Sequence, residues 1–172
     1  GIGGSQLGPE MVINALKPSK NLLNIHFLSN IDPSNLIDVL DNLNPETTLF
    51  VVVSKSFNTL ETLKNATSVE KWLREHLKSG VSVQKHFVAV LSDTHKIENF
   101  SFQFGYKFKI HDFIGGRYSF WGVAGISIML GLGVDNFNKI LVGGASMDRH
   151  FRHSEVDENL PALLGLIGVW PV

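Results

Sequence analysis

Short runs of β-branched and aromatic residues alternate along this chain with longer stretches whose apolar positions recur at helical spacing. Residues 24–28 (NIHFL), 48–53 (TLFVVV), 86–91 (HFVAVL) and 106–111 (YKFKIH) predict strands. The second and third are nearly continuous hydrophobics, the pattern of central strands covered on both faces. Helical patterns occupy 9–16, 33–43, 59–78 and 94–100, and the chain beyond Gly116 is mostly helical in pattern. Pro9 and Pro33 suit a first helical turn, where a missing N–H costs nothing. Gly80 is expected at the C′ position that closes the third helix. The repeated order strand, loop, helix, strand predicts an α/β fold, a parallel sheet in a three-layer αβα sandwich. No repeat, low-complexity tract or flexible linker interrupts it, so residues 1–172 are read as a single domain.

The longest apolar stretch, 120–134, is broken by Gly122, Gly125, Gly131 and Gly133. It is shorter than the roughly 20 residues a spanning helix needs and is read as a buried helix. Both ends look cut. Gly1-Ile2-Gly3-Gly4-Ser5 reads as the turn after a strand that is missing, and 160–172 as an apolar helix or strand with nothing after it. Hydrophobic residues make up 44% of the chain and charged residues 18%, enough apolar mass for a sizeable core. A net charge of −1 argues against nucleic acid or an anionic membrane as a partner held by bulk electrostatics. An anionic ligand would therefore be held by a local set of donors. With no cysteine there is no disulfide, thiolate metal site or thiol catalysis, which suits a cytoplasmic protein.

Ligands of parallel α/β sheets sit at the carboxyl ends of the strands. Directly after the strand ending at Val53 stands Ser54-Lys55-Ser56-Phe57-Asn58-Thr59, with three hydroxyls, a lysine and an amide before a helix. Asn58 with Glu61 has the form of a capping box. Free N–H groups and the helix dipole make such a turn an anion site, and a phosphate monoester suits it. The plainer alternative is a capped loop whose hydroxyls satisfy their own backbone. Gly1-Ile2-Gly3-Gly4-Ser5 would let backbone approach a ligand closely, or is simply a tight turn. It matches neither the dinucleotide fingerprint nor a Walker A loop. Gly115-Gly116-Arg117 opens the apolar helix, where the dipole disfavours a cation. Arg117 then either faces developing negative charge on a substrate or pairs with Asp112. Among the seven histidines, His150 and His153 are three apart near Glu155, a set more common on a solvated or capping face than at a metal. No metal and no cofactor are expected.

Taken together, GIGGSQLGP, SKSFNTLET, DFIGGRYSFWGVAG, GGASMDRHF and ENLPALLGLIGVW follow one another in the order and at about the spacing of glucose-6-phosphate isomerases. The whole chain resembles the first sugar-isomerase (SIS) domain of that family, truncated at both ends. The resemblance implies a flavodoxin-like, five-stranded parallel sheet whose first strand lies mostly upstream of Gly1. It further implies an aldose–ketose isomerase of glycolysis and gluconeogenesis, interconverting glucose 6-phosphate and fructose 6-phosphate through a cis-enediol, cytoplasmic, and a homodimer as the parent protein. Substrate contacts are implied at Gly4 and Ser5, at the loop of Ser54, Lys55, Ser56, Phe57, Asn58 and Thr59, and at Gly116. Arg117 is implied as catalytic, stabilising the enediolate.

The chain departs from the family at Ser56 and Asn58, where Thr is frequent, at Gly122, where Ser is frequent, and at Pro171, where an aromatic is more usual. The family's abstracting Glu, ring-opening His and Lys come from motifs that do not occur here, so the isolated stretch is expected to bind sugar phosphate without turning it over. Two other readings compete. A sugar-phosphate-sensing module of the same fold would have no use for DFIGGRYS or MDRHF, which are present. A nucleotide-binding Rossmann unit would carry an acidic residue at the end of its second strand, where this chain has Leu28-Ser29-Asn30.

Overall fold

A computed structural model describes residues 1–16, 23–98 and 100–170. The described chain forms two compact units, Gly1–Leu132 and Gly133–Val172. In the first, three strands, β1 (Phe50–Val53), β2 (Phe87–Leu91) and β3 (Tyr106–Lys109), form one parallel sheet in the order β1-β2-β3. Phe50 pairs with Phe87 and Val53 with Val90; Val88 pairs with Tyr106 and Leu91 with Lys109. The α/β class and the parallel sheet expected from the sequence are both present.

The valine-rich strands are buried for the reason their sequence suggests. Every residue of β2 is buried, while β3, with lysines at 107 and 109, is exposed along its length. Successive strand residues point to opposite faces, and each face carries its own apolar cluster. Phe87, Ala89 and Leu91 join Val52, Phe102 and Phe104 on one face, with Ala66, Val69 and Leu73 from helix α3 (Leu60–His76). Val88 and Val90 join Val53, Ile110 and Ala124 on the other. Aromatic rings crowd the first cluster: Phe87 and Phe102 lie 4.4 Å apart by centroid and Phe57 and Phe100 5.3 Å.

Two helices precede the sheet, α1 (Leu7–Ala15) and α2 (Pro33–Leu40). At α2 the Asp32 side chain accepts from the Ser34 N–H at 2.9 Å and Pro33 takes the first helical position.

Several expectations need correction. Residues 24–28 form no ladder. A groove of about 500 Å³ separates them from β1, so the two backbones do not hydrogen-bond. Thr94–Ile97 is a single 3-10 turn rather than a helix, and Asn99 of the expected element lies outside the described residues. Gly80 does not sit at C′, because α3 is capped at Leu77; Gly80 adopts φ +90° in the turn beyond.

The stretch 120–134 is not one helix. It runs as 3-10 turns at Gly116–Trp121 and Val123–Gly125, then α4 (Ile126–Leu132). Gly122, with φ −123° and ψ −144°, leaves helical geometry, and Gly133, at φ +83°, ends α4. The second unit holds α5 (Val134–His153) and α6 (Leu160–Val169); Pro171 lies outside the described residues. Among the described residues no helix is long and apolar enough to cross a membrane.

Candidate anion-binding site

The parallel sheet directs the carboxyl ends of β1 and β2 to the same side, and polar residues follow each strand there. The Ser54 N–H continues the ladder by donating to Val90 O at 3.0 Å. Ser92, one residue past β2, reaches back: its N–H and its hydroxyl both donate to Lys55 O, at 3.0 and 2.9 Å. These bonds fix the loop after β1 to the end of β2. The loop then borders a cavity of about 470 Å³, lined by Ser5, Ser54, Lys55, Ser56 and Thr59 among the residues expected from the sequence. The structure therefore brings together two segments nearly fifty residues apart in the chain.

Within the loop, donors are left free where a ligand could use them. The backbone N–H groups of Lys55, Ser56, Asn58 and Thr59 meet no acceptor among the described residues. The first N–H groups of α3 point out of the same end of the helix. Ser54 is buried, and its hydroxyl lies at the long limit of a hydrogen bond, 3.5 Å, from the Thr59 hydroxyl. Such a set of amides and hydroxyls at the positive end of a 17-residue helix can bind an anion without a net positive chain. Among the described residues no Asp, Glu or His lines the cavity, which offers cations and neutral donors.

Two loop residues act differently from the simplest expectation. Asn58 does not cap α3: Thr59 takes the N-cap position without a side-chain cap bond, and the Asn58 amide is held by the Ser56 hydroxyl. The capping box with Glu61 does not form. Phe57 turns its side chain away from the cavity, buried against Phe100 and Phe104. Its backbone has φ +50°, a left-handed conformation that is an outlier for a bulky residue. Strain of this kind costs on the order of 1–3 kcal/mol and persists where packing over-determines it. Here the aromatic cluster holds Phe57.

Lys55 is a strut. Its ammonium donates to the carbonyls of Asp112 and Ile114, at 2.6 and 2.9 Å, tying the loop to the segment that leads into Gly115-Gly116-Arg117. That segment also packs on the N-terminal glycines. A Cβ at Gly4 would come within 2.3 Å of the Gly116 carbonyl carbon and 2.5 Å of the Arg117 nitrogen, so only glycine fits at position 4. Gly4 and Ser5 are thus the joint between Arg117 and the cavity. Gly116 and Arg117 are exposed beside this joint rather than in the cavity lining. Among the described residues Arg117 forms no ion pair, so the expected competitor, a bridge to Asp112, is not made.

Three polar lining residues were not singled out in the sequence: Thr62, Ser92 and Lys96. Ser92 had a signal, since it follows β2 as Ser54 follows β1. In the second unit, His150 is a capping residue: its Nδ1 lies 2.8 Å from the Ser154 hydroxyl and its Nε2 accepts from the Leu160 N–H at 3.2 Å. No group of three or more His, Cys, Asp or Glu among the described residues could hold a metal ion.

Comparison with known proteins gives the family. The family described as Phosphoglucose isomerase matches residues 1–172. The chain belongs to the phosphoglucose isomerase family. It is 48% identical over 170 residues to the glucose-6-phosphate isomerase of Buchnera aphidicola subsp. Schizaphis graminum, and 47% to that of Buchnera aphidicola subsp. Acyrthosiphon pisum (strain Tuc7). Each alignment takes in 99% of this chain and 31% of the relative, so the chain spans about a third of the length of these phosphoglucose isomerases. Among solved structures, a glucose-6-phosphate isomerase from Chlamydia trachomatis superposes with a TM-score of 0.87 at 36% identity, covering 98% of this chain and 32% of that one. A hypothetical protein from Thermus thermophilus, TT0462, superposes at 0.77 with 29% identity, over 97% of this chain and 39% of that one.

Proposed function

We propose that this stretch is the sugar-phosphate-binding part of a glucose-6-phosphate isomerase, the cytoplasmic enzyme that interconverts glucose 6-phosphate and fructose 6-phosphate through a cis-enediol. The observation that carries the reading is the cavity at the carboxyl ends of β1 and β2, where Ser5, Ser54, Lys55, Ser56 and Thr59 converge. Free loop amides, hydroxyls and the helix terminus suit the phosphate monoester. The sugar would then extend past Ser5 and Gly4 toward Gly116 and Arg117, whose unpaired guanidinium suits an enediolate oxygen that forms only during reaction. Proton transfer between C1 and C2 requires a base of tuned pKa, and none lines this cavity. In this account the base, together with the groups that open the sugar ring, comes from other parts of a homodimeric parent, and the 172 residues bind without catalysing.

The finer architecture follows the same reading. The unpaired edge of β1 faces the extended segment 23–28 across the groove of about 500 Å³, which is lined on one side by Leu23 to Leu28 and on the other by Phe50 to Val53. We read this groove as the place of one further parallel strand in a five-stranded, flavodoxin-like sheet, within a three-layer SIS domain to which both compact units belong.

The test is the affinity of the full-length protein for a non-reacting sugar phosphate. Each hydrogen bond to a charged group is worth roughly 1.5–3 kcal/mol. Changing Ser54 and Thr59 together to Ala should weaken binding by well over tenfold. An unchanged inhibition constant would rule the loop out.

A further inference from the structure

The cavity contains more chemistry than the loop explains. Thr62 lies one helical turn beyond Thr59 on α3, borders both the cavity and the groove along β1, and is only 5% exposed. Its hydroxyl is the one side-chain polar atom among the described buried residues that meets no hydrogen-bond partner. A buried hydroxyl without a partner is destabilising, and native proteins keep few of them. Lys96 borders the same cavity from the turn after β2. Its ammonium donates to Ser56 O at 3.0 Å, which leaves two of its three donors available. Lys55, the obvious cation of the loop, has by contrast spent two donors on Asp112 O and Ile114 O.

We propose that Thr62 and Lys96 are further ligands of the phosphate group: the Thr62 hydroxyl, almost inaccessible in its present rotamer, turns about χ1 to donate to it from the buried side of the cavity, and the Lys96 ammonium neutralises it from the solvent side. This rests on the reading of the cavity given above and assigns its charge complement. Lys55 becomes the residue that positions the loop, and Lys96 the residue that pairs with the dianion. The Thr62 hydroxyl finds no partner among the described residues, and phosphate would supply one. Two features of the fold make this possible. The Thr62 side chain is carried on a helix already fixed by Ala66, Val69 and Leu73 in the core. Lys96 is held near the loop by the 3-10 turn that Asp93 caps through the His95 N–H.

Isothermal titration of the full-length protein with glucitol 6-phosphate, and with glucitol as the control lacking phosphate, tests the assignment. Lys96→Met should weaken glucitol 6-phosphate roughly three- to tenfold, an effect reduced by added salt because the ammonium is exposed, and Lys96→Arg should restore most of it. Thr62→Val removes the hydroxyl at nearly constant shape. It should weaken binding roughly tenfold while leaving the melting temperature equal or higher, since an unsatisfied buried group is lost. A purely structural Thr62 would instead melt earlier and bind normally. If Ser54→Ala/Thr59→Ala binds weakly while Thr62→Val and Lys96→Met both bind as well as the parent sequence, this assignment is overturned and the loop reading stands. If the double variant also binds normally, the loop reading falls and this assignment falls with it.

Discussion

The hydroxyl loop and the glycine–arginine joint sit side by side at one end of the sheet, yet they are built on opposite principles. The loop is held from below by the core: Ser54 is tied to Val90, Lys55 to Ser92, and Phe57 is locked among aromatic rings. Its donor groups are therefore held in place by the protein itself. The joint depends on close approach of two backbones, Gly4 on Gly116, and presents an exposed guanidinium with no ion-pair partner among the described residues. A preformed donor set suits the phosphate, which is charged in ground state and transition state alike, and so gives uniform binding. A free cation on a glycine-rich segment suits charge that forms only during reaction. Under the proposed function the contrast is a division of labour: the loop would supply affinity and the joint would supply rate.

The largest effect expected from this division concerns what neither region supplies. With no carboxylate or imidazole in the cavity lining among the described residues, residues 1–172 alone should fail to interconvert glucose 6-phosphate and fructose 6-phosphate. Loss of a general base alone costs roughly 10²–10⁴-fold. A coupled assay at high protein concentration checks this; turnover within tenfold of a full-length enzyme would break the account. Next in size is Arg117→Ala in the full-length protein, expected to lower kcat roughly 10²–10³-fold, by analogy with one lost oxyanion donor, with KM nearly unchanged. Because Arg117 is exposed and unpaired, its melting temperature should hold, and Asp112→Ala should leave kcat alone. An Arg117→Ala protein that melts early but turns over normally would show the residue to be structural.

Smaller still is the effect of forcing the joint apart. Gly4→Ala places a Cβ 2.3 Å from Gly116, and overpacking of this kind costs about 1–3 kcal/mol. For a domain of this size that lowers Tm by roughly 2–4 °C per kcal/mol. Phosphate affinity should fall less than it does for Ser54→Ala/Thr59→Ala, because the loop does not rest on Gly4. Equal losses of affinity in the two variants, with equal melting temperatures, would dissolve the distinction between the regions.

The parts of this site that were legible in the sequence are those fixed by local chemistry. Valine runs announced β1 and β2, and a hydroxyl cluster directly after β1 announced the loop. The parts that were not legible depend on what lies across space. Residues 24–28 have strand composition but no strand to pair with among the described residues, and composition cannot report that. The apolar run 120–134 has helical apolarity, but Gly122 and Gly133 adopt backbone angles that end the helix on either side of α4. Thr62 and Lys96 fall inside sequence patterns that mark only helices, because only the packed sheet brings their elements to one cavity. The Asn58–Glu61 capping pattern failed for the same reason: the loop bend at Phe57, set by the aromatic cluster, moved the cap to Thr59.

The central claim is that the loop after β1 holds the phosphate. Backbone amide chemical shifts of this chain, followed by NMR during titration with glucose 6-phosphate, test it most directly. The account predicts saturable shifts largest at Lys55, Ser56, Asn58, Thr59 and the first amides of α3, smaller ones at Ser5 and Ser92, and the same pattern at the loop with inorganic phosphate. Saturable shifts centred on another region, with the Ser54–Thr59 amides unmoved, would contradict it.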